Sequence, residues 1–395
     1  MLSKIAIVGI GTTGFRATTA DVSYRELTYE AAVKAYSDAG VEPKEIDGFI
    51  ATSEDFLEGY SIADEYSNDQ LGAIHKPVST VGGDFMHALA QGCMMIQSGF
   101  SRLVAVQAMS KASNMLTQAE LVNFALDPVY NRPLDVHPDV IAGLEMNRYL
   151  HETGTNRQAC ACVVAKNRRN ALTNPLAGHG AMVSMDDALN AEIISDPLRA
   201  LDIASTSDGA VVVVLASADL AGSVSDCPIW IRGLGWCSDT PTLESRDWGE
   251  AVYTRLAADM AYKQAGIRSP RSEIDFVELN DEFSYKELQH LEALKLCKPG
   301  EAGYLTESGA TEINGELPVN PSGGCLGVGH LYEANGAHKV LEVVLQLRGE
   351  KGKNQVKDAH VGLAQTWRGI PTTTGAVAVM SIEAESSIGR SLKWD

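Results

Sequence analysis

The sequence lacks an apolar run that approaches the roughly 20 residues of a membrane-spanning helix. It is also poor in positive charge, because 32 Lys and Arg residues stand against 51 Asp and Glu residues and give a formal net charge of −19. Nucleic acids and anionic membranes select surfaces rich in Lys and Arg. We therefore expect neither nucleic acid nor membrane as a partner, although a helix N-terminus could still hold a local anion.

Cysteines are few and are not spaced for a metal. The chain has seven, and only Cys160 and Cys162 lie close together, at a spacing too short for a usual zinc pair. Residues 1–10 read as a buried strand and lack the basic region and cleavage site of a secretory leader. With an odd number of cysteines, this favours reduced thiols. We expect a cytoplasmic protein without a metal site.

Apolar runs alternate with helical periodicity along the chain. Residues 5–10 form a continuous apolar strand of the buried kind, and residues 24–39 then carry apolar side chains at helical spacing. The pattern continues with a strand predicted at 46–51, a helix at 85–99 and a strand at 103–108. This order predicts an α/β fold with a mostly parallel sheet.

The middle of the chain has a different character. Residues from about 112 to 200 are polar, with helical pieces at 142–151 and 157–171 joined by irregular connections, so we expect an insertion folded over the sheet. A second series of strands and helices follows it. The chain is thus predicted to consist of an N-terminal half, 1–225, and a C-terminal half, 226–395, with similar orders of elements.

The most informative pattern is V-N-P-S-G-G-C-L-G-V-G-H at 319–330, followed by L-Y-E-A-N-G. A glycine-rich loop that runs into a histidine presents one imidazole to a ligand, because small residues allow close approach and loop amides can bind an oxyanion. This segment, the Gly-His loop below, resembles the corresponding loop of thiolases. Further motifs in the same order extend the resemblance to the sterol-carrier-protein branch of that family, at 168–177, 196–198, 207–214, 277–285 and 346–350.

The resemblance implies a thiolase fold, which is a duplicated five-layered α/β/α/β/α arrangement with an inserted loop domain. It implies an acyl-CoA substrate, with coenzyme A held in a tunnel beneath that domain. The candidate contacts are the glycine-rich loop with Gly323, Gly324 and Gly329, a mobile cap around 112–150, and a basic residue among Arg168, Arg169 and Lys166. It also implies a homodimer formed by edge strands, with residues 103–108 near the seam. Many members of this branch work with a small partner built from a zinc ribbon and an OB-fold, and we expect one here.

The nucleophilic cysteine of thiolases is missing. In that family it opens a helix such as 85–99, and counting back along the helix places the position at Gly82. Cys93 lies about three turns further on, among apolar residues, and is expected in the core. Asp84 and His87 lie in the first turn and could face a cavity, although helix capping explains the Asp84 carboxylate equally well. Without a thiol here, an acyl-enzyme cannot form by the usual route.

The other candidate residues belong to an oxyanion site. The resemblance implies that Asn280 holds a water beside His330, so that water and imidazole together bind the thioester oxygen as an enolate forms. Asp281 and Glu282 follow a buried strand, and at least one of them is a plausible base; the alternative is a turn with solvated charges or a helix cap. Tyr332 either supplies a phenol to the pocket or packs against it.

The C-terminal motif of thiolases is altered as well. Segment 364–375 contains neither the cysteine nor the histidine that thiolases carry there, while Trp367 and Arg368 could contact a ligand or close a dimer edge. A retro-aldol cleavage needs only a base and an oxyanion site, so the changes favour aldolase-like or unusual Claisen chemistry over thiolysis. The alternative is a non-catalytic subunit that binds CoA or lipid and scaffolds an enzyme. The retained His330 and Asn280 argue against that alternative.

Overall fold

The computed structural model describes residues 4–54, 62–240, 242–370 and 374–384. The strands are β1 (Ile5–Thr12), β2 (Gly48–Thr52), β3 (Val78–Val81), β4 (Leu103–Lys111), β5 (Ile193–Ser195), β6 (Leu198–Arg199), β7 (Asp208–Ser217), β8 (Ile229–Ser238), β9 (Phe276–Glu278), β10 (Val361–Trp367) and β11 (Thr374–Ser381). The helices are α1 (Tyr24–Ala39), α2 (Ala63–Tyr66), α3 (Asn68–Leu71), α4 (Phe85–Gln97), α5 (Gln118–Asn123), α6 (Pro138–Thr153), α7 (Arg157–Ala171), α8 (Met185–Asn190), α9 (Ala218–Val224), α10 (Val252–Ala265), α11 (Pro270–Glu273), α12 (Ser284–Ala293), α13 (Ala302–Glu307), α14 (Gly324–Val328) and α15 (Asn335–Leu347).

The first helix shows how local sequence sets these bounds. Ser23 precedes α1 and forms a capping box with Glu26, whose carboxylate accepts a hydrogen bond from the Ser23 backbone N–H at 2.8 Å. The helix ends where Gly40 adopts a left-handed conformation with φ of 63°. The predicted helices at 24–39 and 157–171 are confirmed as α1 and α7.

Nine strands form one sheet in the order β3-β2-β4-β7-β1-β8-β11-β10-β9. Strands that precede residue 225 lie on one side of the β1–β8 contact, and strands that follow it lie on the other. That contact comprises the residue pairs Ala6–Trp230 and Ile7–Ile229. The predicted C-terminal half runs to 395, and its last residues, 385–395, lie outside the described ranges.

The prediction of a mostly parallel sheet was wrong. Three neighbouring pairs of this sheet are parallel, namely β2–β3, β2–β4 and β9–β10, whereas the other five are antiparallel. Helices cover both faces of the central strands, so these strands are continuous apolar runs whatever their direction. An apolar run therefore indicated burial on both faces and did not indicate strand direction.

Apolar clusters mark a succession of five layers. The outer helix α1 packs on one face of the N-terminal strands, where Val212 and Val214 of β7 point towards it. Val213 and Leu215 point the other way, into a middle layer of α4 and α15 that strands of both halves cover. On the far side, α10 packs against β8 and β11, and α12 lies between α10 and α7. The predicted α/β/α/β/α order is confirmed.

Between β4 and β7 the chain leaves the sheet and forms a cap, residues 112–207, from α5 to α8 and the paired strands β5 and β6. This segment corresponds to the predicted insertion. Two of its helices, α6 and α7, pack against α12 of the C-terminal half. No helix of the described ranges is both long enough and apolar enough to cross a membrane.

Residues 103–108, which we expected near a dimer seam, do not form an edge of the sheet. These residues belong to β4, which pairs with β2 on one side and β7 on the other and is buried along its whole length. The edge strand of the N-terminal half is instead β3, whose residues are half-buried. An interior strand offers no unpaired backbone groups for a second copy.

Candidate active site

A cavity of about 230 Å³ lies between the cap and the Gly-His loop. The cap contributes α5, the start of α6 and the segment before β7, and the C-terminal half contributes the ends of β9 and β10 together with the loop. Acidic, basic and apolar side chains therefore meet in one space. The lining residues are Gln118, Ala119, Val122, His137, Pro138, Asp139, Ile203, Ala204, Thr206, Glu282, Phe283, His330, Tyr332, Arg368, Gly369 and Ile370.

His330 is fixed in this cavity by its backbone. Its N–H donates to the Ser205 carbonyl at 2.8 Å, and its carbonyl accepts from the Ser207 N–H at 3.0 Å. The ring of Tyr332 packs edge-on against the imidazole, with centroids 4.6 Å apart. Burial lowers the pKa of His330 to about 4, so the imidazole is neutral near pH 7.

Glu282 is the carboxyl group closest to this imidazole among the predicted residues. Its Oε2 lies 3.7 Å from His330 Nδ1 and has no hydrogen-bond partner within the described chain. Burial, and secondly the charge of Asp139, raise the pKa of Glu282 to about 8. The cavity thus contains a neutral imidazole beside a carboxyl that exchanges its proton slightly above neutral pH.

Asn280 lies behind the cavity and does not line it. Its Nδ2 donates to the Trp367 carbonyl at 3.2 Å, and its Oδ1 accepts from the Glu282 N–H at 3.0 Å. Its own N–H donates to Gln365 at 3.0 Å. The side chain thus ties the end of β10 to the turn that carries Glu282. Its predicted role as a holder of water beside His330 stays a prediction.

Asp281 also points away from the cavity. Its carboxylate accepts from the N–H groups of Cys325 at 2.5 Å and Leu326 at 3.2 Å, and from Asn167 of α7 at 2.7 Å. The Lys339 ammonium lies 3.5 Å away. Asp281 therefore caps α14 from a neighbouring segment and holds the Gly-His loop in place.

Asp84 and His87 lie at the start of α4, and neither lines the cavity. The Asp84 carboxylate accepts from Met86 N–H, Gly336 N–H and Thr366 Oγ1, each at 2.9 Å. Burial raises its pKa to about 7. One carboxylate thus joins the N-termini of α4 and α15, which favours the capping interpretation. His87 contacts the Asp84 carbonyl through Nδ1 at 3.1 Å.

The glycines predicted to contact coenzyme A are buried in protein contacts. A Cβ on Gly324, whose φ is 61°, would lie 2.2 Å from the Asp281 carboxylate. A Cβ on Gly329, whose φ is 122°, would lie 2.1 Å from the Ser207 hydroxyl. Gly323 packs on Ala171 in the same way. These residues shape the loop from behind, so any contact with coenzyme A stays a prediction.

Arg168, one of the three basic candidates for contact with coenzyme A, is 9% exposed and donates to the His179 carbonyl at 3.1 Å. Its Nε is buried without a partner among the described residues. Burial lowers the pKa of this guanidinium. The side chain lies inside the cap and does not line the cavity. Arg368 lines the cavity instead, and its Nε pairs with the Glu54 carboxylate.

Gly82, at the position of the missing nucleophile, has free space around it. Gly82 is exposed, and a Cβ there would meet only the Ser53 carbonyl, at 4.0 Å, so steric hindrance does not forbid a cysteine. The prediction that Cys93 lies in the core is confirmed, and burial raises the pKa of its thiol to about 12. In segment 364–375, Gln365 and Thr366 are buried, and residues 371–373 lie outside the described ranges.

The sequence did not single out His137 and Asp139 within the cap. His137 and Asp139 start α6 and line the cavity opposite His330, with 3.5 Å between His137 Nδ1 and Asp139 Oδ2. The available signal was H-P-D before a helical stretch, a common helix start with proline in the first turn. No group of three or more His, Cys, Asp or Glu side chains in the described ranges is arranged to hold a metal ion.

Several known proteins are similar to this chain in sequence. The family described as thiolase C-terminal domain-like matches residues 237–381. An acetyl-CoA acetyltransferase of Methanothermobacter thermautotrophicus is 32% identical over 96% of this chain and 99% of its own length. A steroid side-chain-cleaving aldolase of Thermomonospora curvata is 28% identical over 93% and 96%.

Among solved structures, the Ltp2-ChsH2(DUF35) aldolase aligns with a TM-score of 0.83 and 26% identity, covering 96% of this chain and 98% of its own. This similarity spans the sheet, the middle helices and the cap. The chain belongs to the thiolase superfamily, in its sterol-carrier-protein branch, and is an enzyme of the acyltransferase or C–C lyase kind.

Proposed function

We propose that this chain cleaves a C–C bond of a β-hydroxyacyl-CoA by a retro-aldol reaction. The supporting observation is the pair of His330 and Glu282, a neutral imidazole and an unpartnered carboxyl oxygen 3.7 Å apart in one cavity. The nearby thiol that a thiolase would need is absent at Gly82, and Cys93 is buried in the core. Relatives named as aldolase or CoA lyase agree with cleavage.

In this reaction the ionised Glu282 takes the proton of the β-hydroxyl group. The bond between Cα and Cβ breaks, Cβ becomes the carbonyl carbon of a ketone or aldehyde, and the electron pair passes into the thioester as an enolate. His330 donates a hydrogen bond to the enolate oxygen. Glu282 then returns its proton to Cα, which releases a shortened acyl-CoA and restores the enzyme.

The supporting residues divide by position. Asn280 and Asp281 hold the turn of Glu282 and the Gly-His loop, and we assign them positioning roles. Tyr332 limits rotation of the imidazole by packing against it. Arg368 lines the same cavity and gives the anionic groups of the acyl-CoA a cationic contact there. Asp84 joins the middle helices and has no role in the reaction.

The first experiment uses the chain co-expressed with a DUF35-type protein and a panel of 3-hydroxyacyl-CoA thioesters. Mass spectrometry would measure the shortened acyl-CoA and the released ketone or aldehyde. His330→Ala should lower kcat by roughly 10²–10³-fold, because one oxyanion donor is lost, and should leave CoA binding nearly unchanged. His151→Ala, on the exposed end of α6, is the matched control.

Two results would contradict the retro-aldol proposal. Tight CoA binding by calorimetry without turnover of any hydroxyacyl- or ketoacyl-CoA in the presence of the partner would support the scaffold subunit instead. Thiolytic turnover with an acyl adduct on the protein would support ordinary thiolase chemistry.

We also propose that the chain forms a homodimer through β3. We further propose that it binds a small partner protein with a zinc ribbon and an OB-fold. Within the described ranges, no strand pairs with the outer edge of β3, and this supports the dimer. The structural neighbour named as an Ltp2-ChsH2(DUF35) aldolase supports the small partner. Light scattering of the chain alone and with its partner tests both. A monomer under both conditions would contradict the dimer.

A further inference from the structure

Asn335, the first residue of α15, is 1% exposed and lies directly behind His330. One end of its amide accepts a hydrogen bond from the Leu331 backbone N–H at 2.9 Å. A backbone N–H can only donate, so the amide atom that faces Leu331 must be Oδ1. The thiol of Cys325, 3.8 Å from the same oxygen, is a further weak donor. The orientation of the amide is thereby determined.

The other end of the amide is Nδ2, and it lies 3.1 Å from His330 Nδ1. An amide nitrogen can only donate, so Nδ1 must accept and carries no proton. In a neutral imidazole the proton then resides on Nε2. The nitrogen that remains for a ligand is therefore an N–H donor.

We propose that Asn335 is a positioning residue that holds His330 as its Nε2–H tautomer and so makes this histidine a hydrogen-bond donor to the substrate oxygen instead of a base. This inference rests on the proposed function and deepens it. It leaves the β-hydroxyl proton to another group of the cavity, and Glu282 occupies the suitable position.

The groups around the imidazole are consistent with this assignment. Glu282 is the carboxyl that could compete for Nδ1, but its Oε2 is 3.7 Å away whereas the amide of Asn335 is 3.1 Å away. Tyr332 contacts the imidazole through its ring. The Cys325 thiol, from α14, lies 3.8 Å from Asn335 Oδ1. An ionised carboxylate in place of the amide would instead draw a proton onto Nδ1 and leave Nε2 as an acceptor.

The substitution Asn335→Asp performs that exchange with little change of shape. One carboxylate oxygen still accepts from the Leu331 N–H, and the other now accepts from Nδ1–H of His330. We expect the Nε2 donor to be lost, kcat to fall by about 10²-fold and KM to change little. Asn190→Asp, on the exposed end of α8, adds the same charge elsewhere and is the matched control.

The direct measurement is the tautomer itself. The protein is labelled with ¹⁵N-histidine and studied by NMR, and the His330 signals are identified by their absence in His330→Gln. The wild type should show a protonated Nε2 and an unprotonated Nδ1. A protonated Nδ1 in the wild type, or an unchanged tautomer and kcat in Asn335→Asp, would overturn the inference. The wild-type spectrum decides the question even where the variant does not fold. A chain with the expected tautomer and no turnover would refute the proposed reaction but not the role of Asn335.

Discussion

Glu282 is expected to set the pH dependence of turnover. Burial and the neighbouring charge of Asp139 raise its pKa to about 8. The carboxyl must be ionised to accept the β-hydroxyl proton, so only about a tenth of the molecules are competent at pH 7. kcat/KM should therefore rise about tenfold between pH 6 and pH 7 and level off above about pH 9. His330 stays neutral over this range, because burial lowers its pKa to about 4.

The substitution Glu282→Gln removes the titrating group and keeps its size. We expect kcat at pH 8 to fall by at least about 10²-fold, which is typical for loss of a general base, and the remaining rate to lose its rise with pH. Glu316→Gln, at an exposed side chain far from the cavity, is the control. A variant that keeps a rise through pH 8 would assign the titration to another group and refute this role.

The same carboxyl has a consequence for stability. Its pKa in the folded chain lies above the ordinary value of 4.5, so its contribution to stability is complete below that pH and is lost as the pH rises through about 8. The full loss is on the order of 5 kcal/mol. In urea unfolding, Glu282→Gln should therefore gain stability relative to the wild type between pH 5 and pH 9. An equal difference at both pH values would contradict the assigned pKa.

Two further predictions concern residues outside the cavity. Cys93→Ser should keep kcat within about twofold and cost about 1–2 kcal/mol of stability, and intact-mass measurement should show no acyl adduct on the wild type; an adduct mapped to Cys93 would restore thiolase chemistry. Asp84→Ala removes an acceptor of three hydrogen bonds and should lower the free energy of unfolding by about 2–4 kcal/mol in urea. A loss below about 1 kcal/mol would mean that the three donors find other partners.

Individual strands and helices could be predicted from the sequence because each depends on local pattern, whereas the five-layered order was implied by the resemblance to thiolases. Continuous apolar runs such as 211–216 indicate strands covered on both faces, and helical periodicity indicates the helices between them. The Gly-His loop was recognisable by its resemblance to the thiolase motif, and the structure shows that a Cβ on Gly324 or Gly329 would clash with Asp281 or Ser207. Strand direction was not predictable, since buried parallel and antiparallel strands share the same composition.

The different positions of the Asp281 and Glu282 carboxyl groups could not be predicted from the sequence. Both carboxyls follow β9, but one caps α14 and the other faces the cavity. Which neighbour points inward depends on the path of the turn, and that path is fixed by distant contacts such as Asn280 to Trp367. Asp139 was missed for a related reason. The cap that carries it has little periodicity, so its position over the sheet depends on tertiary packing.

The short contact between β1 and β8 has a consequence for the exchange of one half of the chain between related proteins. Two residue pairs join the halves of the sheet, while α4 and α15 share one apolar layer and one capping carboxylate. Exchange of a half between relatives at 225–228 therefore leaves the strands almost undisturbed and replaces one helix of a matched pair. Recombination at this point would succeed only where the apolar side chains of α4 and α15 that pack together come from the same parent. The packing of the two middle helices, more than the pairing of strands, therefore requires the two halves to be inherited together.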